Sequence, residues 1–94
     1  MYRVTVLYES EPDPQEHAAH AEMCRYVPGS AFRHGRVTGS PMGEAPHAYY
    51  AQWEFPDKEA FDAAVRSEEF MATGKDAYKR GFPQPTVQFV ELAD

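Results

Sequence analysis

The chain has 94 residues, 43% of them hydrophobic and 26% charged, and its formal net charge is −6. This length has room for one domain, residues 1–94, and the acidic balance argues against a nucleic-acid partner, which needs a concentrated positive field. No apolar run reaches membrane-spanning length and no secretion signal begins the chain, so we expect a cytoplasmic protein without a membrane partner.

The first part of the chain predicts a strand and then a helix. Residues 2–8 are rich in β-branched and aromatic types and alternate between two faces, one with Tyr2, Val4, Val6 and Tyr8 and the other with Arg3, Thr5 and Leu7, which is typical of a strand. Asp13 followed by Pro14 is a favourable helix start, because proline suits the first helical position. We expect this helix to run from Gln15 to about Tyr26 and to end at the Pro-Gly pair that follows.

The middle of the chain predicts two strands joined by a loop rich in glycine and proline. The strands are expected over Ala31–Val37 and His47–Phe55. Asp57 then caps a helix that runs to about Ser67. The aromatic residues expected in the core are Trp53, Phe55, Phe61 and Phe89, with Trp53 touching helix side chains such as Phe61.

The last third predicts a short helical piece and a final strand. The short piece holds Phe70 and Met71, and the strand covers Thr86–Leu92. The element order β-α-β-β-α-β predicts an α+β protein of the ferredoxin-like kind. Such a fold has a four-stranded antiparallel sheet with both helices on one face.

Alternation along the strands assigns the two faces of this sheet. We expect the helices to cover the face that carries Val4, Val6, Ala51, Trp53, Val87 and Phe89. The opposite face carries Arg3, Thr5, Leu7, Tyr50, Gln52, Glu54, Gln88, Val90 and Leu92. This second face is half apolar, so a lone chain would expose a sticky surface to water. We therefore predict a homodimer that stacks two sheets face to face around a mixed polar cavity.

Cross-strand pairing predicts a site on that second face. If the first and third strands pair antiparallel, Arg3 faces Glu54 and Thr5 faces Gln52. In a partly dry cavity the arginine would orient a substrate carboxylate or phenol, and Glu54 would act as a base if its pKa rose. The alternative is a salt bridge that only lines the dimer interior. The predicted substrate-binding residues are Arg3, Thr5, Tyr50, Gln52 and Gln88.

Histidines supply the other candidates. His17 and His20 are three residues apart, on one side of the predicted helix, where they would bind a metal or shuttle protons. No third ligand at a suitable spacing completes a metal site, so none is predicted, and two partly exposed helix histidines are the simpler interpretation. His34 would act as a general base if it faced the cavity; otherwise it is a surface histidine of an edge strand. Cys24 is expected to be a small buried hydrophobe.

Several stretches resemble the EthD-like family of dimeric α/β-barrel proteins. They are VTVLY at residues 4–8, YAQWEF at 50–55, DKEAFDAA at 57–64 and GKD at 74–76, and the likeness spans nearly the whole chain. The resemblance implies a dimeric α/β barrel built from two ferredoxin-like sheets. Proteins with this barrel include cofactor-independent monooxygenases, lactone isomerases, polyketide cyclases and haem-degrading enzymes.

The resemblance also bears on His20. Family members often carry a His-Tyr pair in the first helix, and His20 stands near that position with Ala21 in place of the tyrosine. A second family segment, His-x-Pro-Leu, is absent here. The catalytic candidates are thus His20, Glu54 and His34, with His20 expected at the mouth of the sheet-face cavity. No histidine falls in the second helical region, so neither haem nor another cofactor is predicted.

Two functions follow from these features. The first is a small-molecule-binding barrel, a cofactor-independent enzyme or accessory protein that acts on a hydrophobic oxygen-containing organic compound. The resemblance implies monooxygenase, isomerase or cyclase chemistry for it. The second is a non-catalytic ligand-binding or stress-associated barrel. A deep pocket around Tyr50, Gln52 and Glu54 would favour the first, and a cavity filled by apolar side chains would favour the second.

Overall fold

Seven elements build the structure, a computed structural model that describes residues 1–94. In chain order they are β1 (Tyr2–Tyr8), α1 (Pro14–Cys24), β2 (Ala31–Arg36), β3 (Tyr49–Phe55), α2 (Lys58–Val65), α3 (Glu68–Lys79) and β4 (Thr86–Glu91). The strands form one antiparallel sheet in the order β2-β3-β1-β4, with the helices on one face. The predicted α+β, ferredoxin-like fold is confirmed. No helix combines the length and the hydropathy needed to cross a membrane.

The two central strands pair in the predicted register. β1 and β3 are antiparallel, and their pairs include Arg3 with Glu54 and Thr5 with Gln52. Because neighbouring side chains of a strand point to opposite faces, these polar residues share the face away from the helices. We call this the outer face of the sheet.

The core lies between the other face of the sheet and the helices. Burying these apolar side chains is the main contribution to the stability of the fold. The fully or nearly fully buried apolar residues are Val4, Val6, Tyr8, Cys24, Val27, Ala51, Trp53, Phe55, Phe61 and Ala64.

Trp53 is buried and contacts a helix side chain, as the sequence predicts, but its aromatic partner on the helices is Phe70 instead of Phe61. Its ring packs against Phe70 of α3, with ring centroids 5.2 Å apart, and its Nε1 donates a hydrogen bond to the carbonyl of Cys24 at 2.9 Å. Phe61 packs nearer the other end of the sheet, where its ring contacts Phe55 and Tyr2. The helix region is split into α2 and α3, and each half covers a different part of β3.

The prediction that Phe89 lies in the core is wrong. Phe89 is 61% exposed and Val87 is 50% exposed, although both side chains point to the helix side of β4. β4 is an edge strand of the sheet, and α2 packs over β1 and β3. The alternation pattern assigns the correct face, and the Phe89 ring contacts Phe61 of α2 with ring centroids 5.2 Å apart, but this single contact leaves most of the side chain exposed.

Helix α3 is longer than the short piece predicted from the sequence. Ser67 caps its start, because the Ser67 Oγ accepts a hydrogen bond from the backbone of Phe70 at 3.1 Å. The helix ends at a Schellman motif, in which Gly81 adopts a left-handed φ of 73° and Phe82 N donates to the carbonyl of Ala77 at 3.2 Å. This ending fixes where Phe82 enters the core.

Candidate functional site

A cavity of about 260 Å³ lies on the helix side of the sheet, between the strands and helices α1 and α3. We call it the apolar cavity, because aliphatic and aromatic side chains form most of its wall. Concave apolar pockets with a few polar groups are the usual form of small-molecule sites. The lining residues are Val6, Tyr8, His17, His20, Cys24, Phe32, Ala51, Trp53, Val65, Phe70, Met71, Thr73, Gly74, Ala77, Pro85 and Val87.

Helix α1 places His20 in the wall of the apolar cavity. The residue is buried, and its Nδ1 lies 2.7 Å from Oδ2 of Asp76 on α3. An ionised carboxylate can only accept a hydrogen bond, so Nδ1 carries a hydrogen, and in the neutral form of the ring Nε2 keeps a lone pair. A histidine oriented in this way by a carboxylate is suited to act as a general base.

Arg80 keeps Asp76 in its ionised form. The guanidinium Nε donates to Oδ2 of Asp76 at 2.7 Å, and Nη1 donates to Oε1 of Glu16 at 2.8 Å. Burial by itself would raise the pKa of Asp76, but hydrogen bonds from His20 and Arg80 and the charge of Arg80 outweigh it, and the pKa lies below its usual value. The carboxylate therefore stays charged at neutral pH and accepts the Nδ1–H hydrogen bond of His20.

Phe82 packs between His20 and Tyr8, which both line the apolar cavity. The ring of Phe82 lies 5.2 Å from that of His20 and 6.2 Å from that of Tyr8, measured between centroids. Tyr8 lines the apolar cavity, and burial is the main cause that raises its pKa to about 12. Its hydroxyl therefore stays protonated and is able to donate a hydrogen bond to a ligand oxygen.

His34 lines a different cavity. Its Nδ1 lies 2.6 Å from the hydroxyl of Tyr49, and burial is the main cause that lowers its pKa, so the ring is neutral at pH 7. Both residues border a second cavity of about 200 Å³, which we call the polar pocket. Its other lining residues are Glu11, Pro12, Pro14, His17, Ala18 and Arg36. No three His, Cys, Asp or Glu side chains are arranged as metal ligands.

The predicted outer-face residues lie on one side of the sheet. Arg3 and Glu54 form a salt bridge of 2.6 Å, and the Tyr50 hydroxyl donates to Oε1 of Gln52 at 2.7 Å. Arg3, Tyr50 and Gln52 border a shallow, open depression rather than a deep pocket. The predicted site residues on this face are Arg3, Thr5, Tyr50, Gln52, Glu54 and Gln88.

His20 does not lie at the mouth of an outer-face cavity, and that expectation is wrong. Helix α1 packs against α3 on the opposite side of the sheet, and the bond to Asp76 fixes the His20 ring there. His34 also turns its ring to that side, towards Tyr49. The structure therefore separates the His20 ring from Glu54 by the thickness of the sheet, whereas His34, although its ring turns to the helix side, also borders the open depression on the outer face.

No protein-family model matches the chain, and no curated protein matches it. Among solved structures, an EthD family protein from Bacillus halodurans C-125 is 32% identical, covers 98% of each chain and superposes with a TM-score of 0.78. The chain belongs to the EthD family.

More distant structures share the fold of this EthD-family chain. A dimeric ferredoxin-like protein of unknown function from Jannaschia sp. CCS1 is 18% identical, with 97% of this chain and 98% of that chain covered and a TM-score of 0.72. SnoaB, a cofactor-independent oxygenase from Streptomyces nogalater, is 15% identical, with 99% and 93% covered and a TM-score of 0.62. At such identities the likeness shows the fold alone.

Sequence reasoning about this EthD-family chain missed the partner of His20. Asp76 belongs to the GKD stretch that resembles the family. The sequence predicts no helix there, so it does not predict which way the Asp76 side chain points. The pair is separated by 56 positions, and only the packing of α1 against α3 brings it together. One signal was available: Thr73 and Asp76 are three residues apart, the spacing of one helix face.

Proposed function

We propose that this EthD-family protein is a cofactor-independent enzyme that binds a small hydrophobic, oxygen-containing organic compound in the apolar cavity. In this proposal His20 removes a proton from the compound. The observation that carries the proposal is the His20–Asp76 hydrogen bond of 2.7 Å in the wall of an apolar cavity. A buried base, held by a charged carboxylate and shielded from water, is an arrangement that supports proton abstraction.

The proposed proton transfer uses three side chains. An acidic C–H or O–H of the ligand lies against Nε2 of His20, which accepts the proton and becomes an imidazolium ion. Asp76 stabilises that charge through Nδ1. The Tyr8 hydroxyl donates a hydrogen bond to the ligand oxygen on which negative charge develops. Deprotonation of this kind is the first step of isomerase, cyclase and cofactor-independent oxygenase chemistry alike.

The lining of the apolar cavity favours a neutral ligand. No lysine or arginine is among its lining residues, so a carboxylate would be buried there without a counter-charge. A cavity of roughly 150 Å³ is known to hold benzene. The larger volume here, about 260 Å³, suits a compound of one or two rings.

We also propose that the protein forms a homodimer through the outer faces of two sheets. Leu7, Val90 and Leu92 are only half-buried on that face, and the buried Oγ1 of Thr5 has no hydrogen-bond partner. Ferredoxin-like proteins from Jannaschia sp. CCS1 and Thermobifida fusca YX, which share the fold, are described as dimeric. In such a dimer the proposed substrate-binding set around Arg3 and Glu54 lines the space between the sheets.

The Kemp elimination of 5-nitrobenzisoxazole tests the proposed base. A base removes the proton from the ring carbon, the electron pair completes a nitrile, the N–O bond breaks, and a coloured phenolate is released. We expect the protein to accelerate this reaction and His20→Gln to lose about a hundredfold of that acceleration, the usual contribution of a general base. Asp76→Asn should lower the rate and shift its pH profile, because Nδ1 loses its charged acceptor.

The control is His47→Gln, which changes a histidine that lines neither cavity. It should keep the rate of the unmodified protein. If the unmodified protein and His20→Gln react equally, His20 is not a base. If the protein then still binds aromatic ligands, the alternative of a non-catalytic ligand-binding barrel is supported.

A further inference from the structure

His17 is a buried side chain without any hydrogen-bond partner. Only 2% of the residue is exposed, and neither Nδ1 nor Nε2 meets a protein donor or acceptor. The great majority of buried polar side-chain atoms in proteins are hydrogen-bonded to protein groups or to ordered water. Two orphaned nitrogens on one ring therefore require a physical explanation.

The ring of His17 stands between the two cavities, because it lines both the apolar cavity and the polar pocket. Its closest ring neighbours are Tyr49 at 4.8 Å and His34 at 4.9 Å between centroids, followed by His20 and Phe82, each at 5.6 Å. None of these contacts is a hydrogen bond, so a rotation of the ring breaks none. A ring turned aside would join the two cavities into one longer site.

The polar pocket offers hydrogen bonds without an unbalanced charge. Arg36 Nε donates to Oε1 of Glu11 at 2.9 Å, which pairs the two charged residues of the lining. Burial lowers the pKa of His34, so this ring is neutral beside the hydroxyl of Tyr49. A group that enters the pocket therefore meets the neutral His34 and Tyr49 and an ion pair whose two charges balance, which together suit a hydroxyl or a carbonyl better than an ion.

We propose that His17 is a movable partition and that the polar pocket receives an uncharged hydroxyl or carbonyl group of the ligand whose apolar body fills the apolar cavity. The ligand class is a neutral, elongated amphiphile. Its polar end supplies the hydrogen bond that the His17 nitrogens lack. This inference rests on the proposed function, because both concern the same ligand.

Binding of a matched set of naphthols tests the partition. Trp53 is the only tryptophan of the chain and lines the apolar cavity, so quenching of its emission reports occupancy. The probes are 2-naphthol and its 6-hydroxymethyl, 6-ethyl and 6-carboxylate derivatives. The hydroxymethyl and ethyl groups have nearly the same size and differ in one hydroxyl. We expect the hydroxymethyl compound to bind about three- to tenfold more tightly than the ethyl compound, the effect of one net hydrogen bond.

Three variants test whether the preference for the hydroxymethyl compound over the ethyl compound depends on His17. His17→Phe keeps an aromatic ring but removes both nitrogens, so the preference for the hydroxymethyl compound should disappear. Tyr49→Phe, which removes a hydroxyl of the polar pocket, should reduce it. His47→Phe, outside both cavities, should leave it unchanged.

Each outcome decides between the proposals. If 2-naphthol itself fails to quench Trp53, the proposed apolar-cavity function falls and this inference falls with it. If 2-naphthol binds but the hydroxymethyl and ethyl compounds bind equally, only the partition is overturned. Equal preferences in the unmodified protein and His17→Phe overturn it as well. Tightest binding of the carboxylate would make the polar pocket an anion site and overturn the assignment of an uncharged group.

Discussion

His17 and His20 are neighbours on one helix face, yet the structure gives them different physical states. His20 has a charged acceptor at 2.7 Å, whereas His17 has none. Burial, followed by the nearby His34 and His20, lowers the pKa of His17 to about 4. His17 is therefore neutral at pH 7. Without a carboxylate partner, it cannot replace His20 as the proposed base.

The buried His17 should make the protein sensitive to mild acid. In the unfolded chain the pKa of His17 is about 6.5. Between pH 6.5 and 4 this residue therefore binds a proton in the unfolded state but not in the folded state. The free energy of unfolding should therefore fall as the pH drops through this window. His17→Phe should remove roughly 2 kcal/mol of this fall between pH 7.5 and 4.5.

Urea unfolding at the two pH values measures this effect. Asp76 acts in a separate window, since its lowered pKa means that its contribution is lost only at lower pH, below its ordinary value of 3.8. Equal falls in the unmodified protein and His17→Phe would contradict a buried neutral His17.

The start of α1 controls where both histidines lie. Asp13 caps this helix, because its Oδ1 accepts hydrogen bonds from the backbone of Gln15 at 3.0 Å and of Glu16 at 3.1 Å. Asp13→Ala should cost about 1 kcal/mol of stability and should also lower the Kemp rate, since it loosens the turn before His17 and His20.

Asp57→Ala is the matched control, because Asp57 caps α2, which carries neither histidine. This variant should lose similar stability in thermal or urea unfolding while the Kemp rate of the remaining folded protein is unchanged. If both cap variants lower the rate equally, α1 has no special role in the site.

The strands could be predicted more accurately than the helices. Alternation in β1 and β3 is enough to set their register, because a slip of one residue would bury Gln52 and Glu54 under the helices at a high desolvation cost. Helix α3 is harder, since Gly74 lowers its helix propensity and packing against α1 overrides that preference. The candidate site depends on α3, and so Asp76 lay beyond what local sequence patterns predict.

How far the helices cover the sheet depends on the whole molecule and cannot be predicted from the residue pattern of one strand. The pattern of β4 assigns Phe89 to the helix side correctly, but the edge position of β4 leaves it exposed. In the same way, the sequence predicts a polar site on the outer face, whereas the apolar cavity lies on the helix side of the sheet. The volume of that cavity depends on how three helices divide the other face among them.

The proposed dimer is tested on the two faces of one strand. Val90 lies on the outer face of β4, and Val90→Asp would bury an unpaired charge between the sheets, so this variant should be monomeric. Val87→Asp places the same charge on the opposite, half-exposed face and should stay dimeric. Size-exclusion chromatography with light scattering measures both. A monomeric unmodified protein, or a dimer that tolerates Val90→Asp, would contradict a sheet-to-sheet interface.

The burial of Cys24 has a kinetic consequence. The thiol is fully buried in the wall of the apolar cavity, and burial is the main cause that raises its pKa to about 12. A disulfide reagent reacts with the thiolate, so it must wait until the structure opens around this one cysteine. The labelling rate of Cys24 thus reports how often the structure opens around it. A compound that occupies the apolar cavity stabilises the closed form, so it lowers the labelling rate in proportion to its binding.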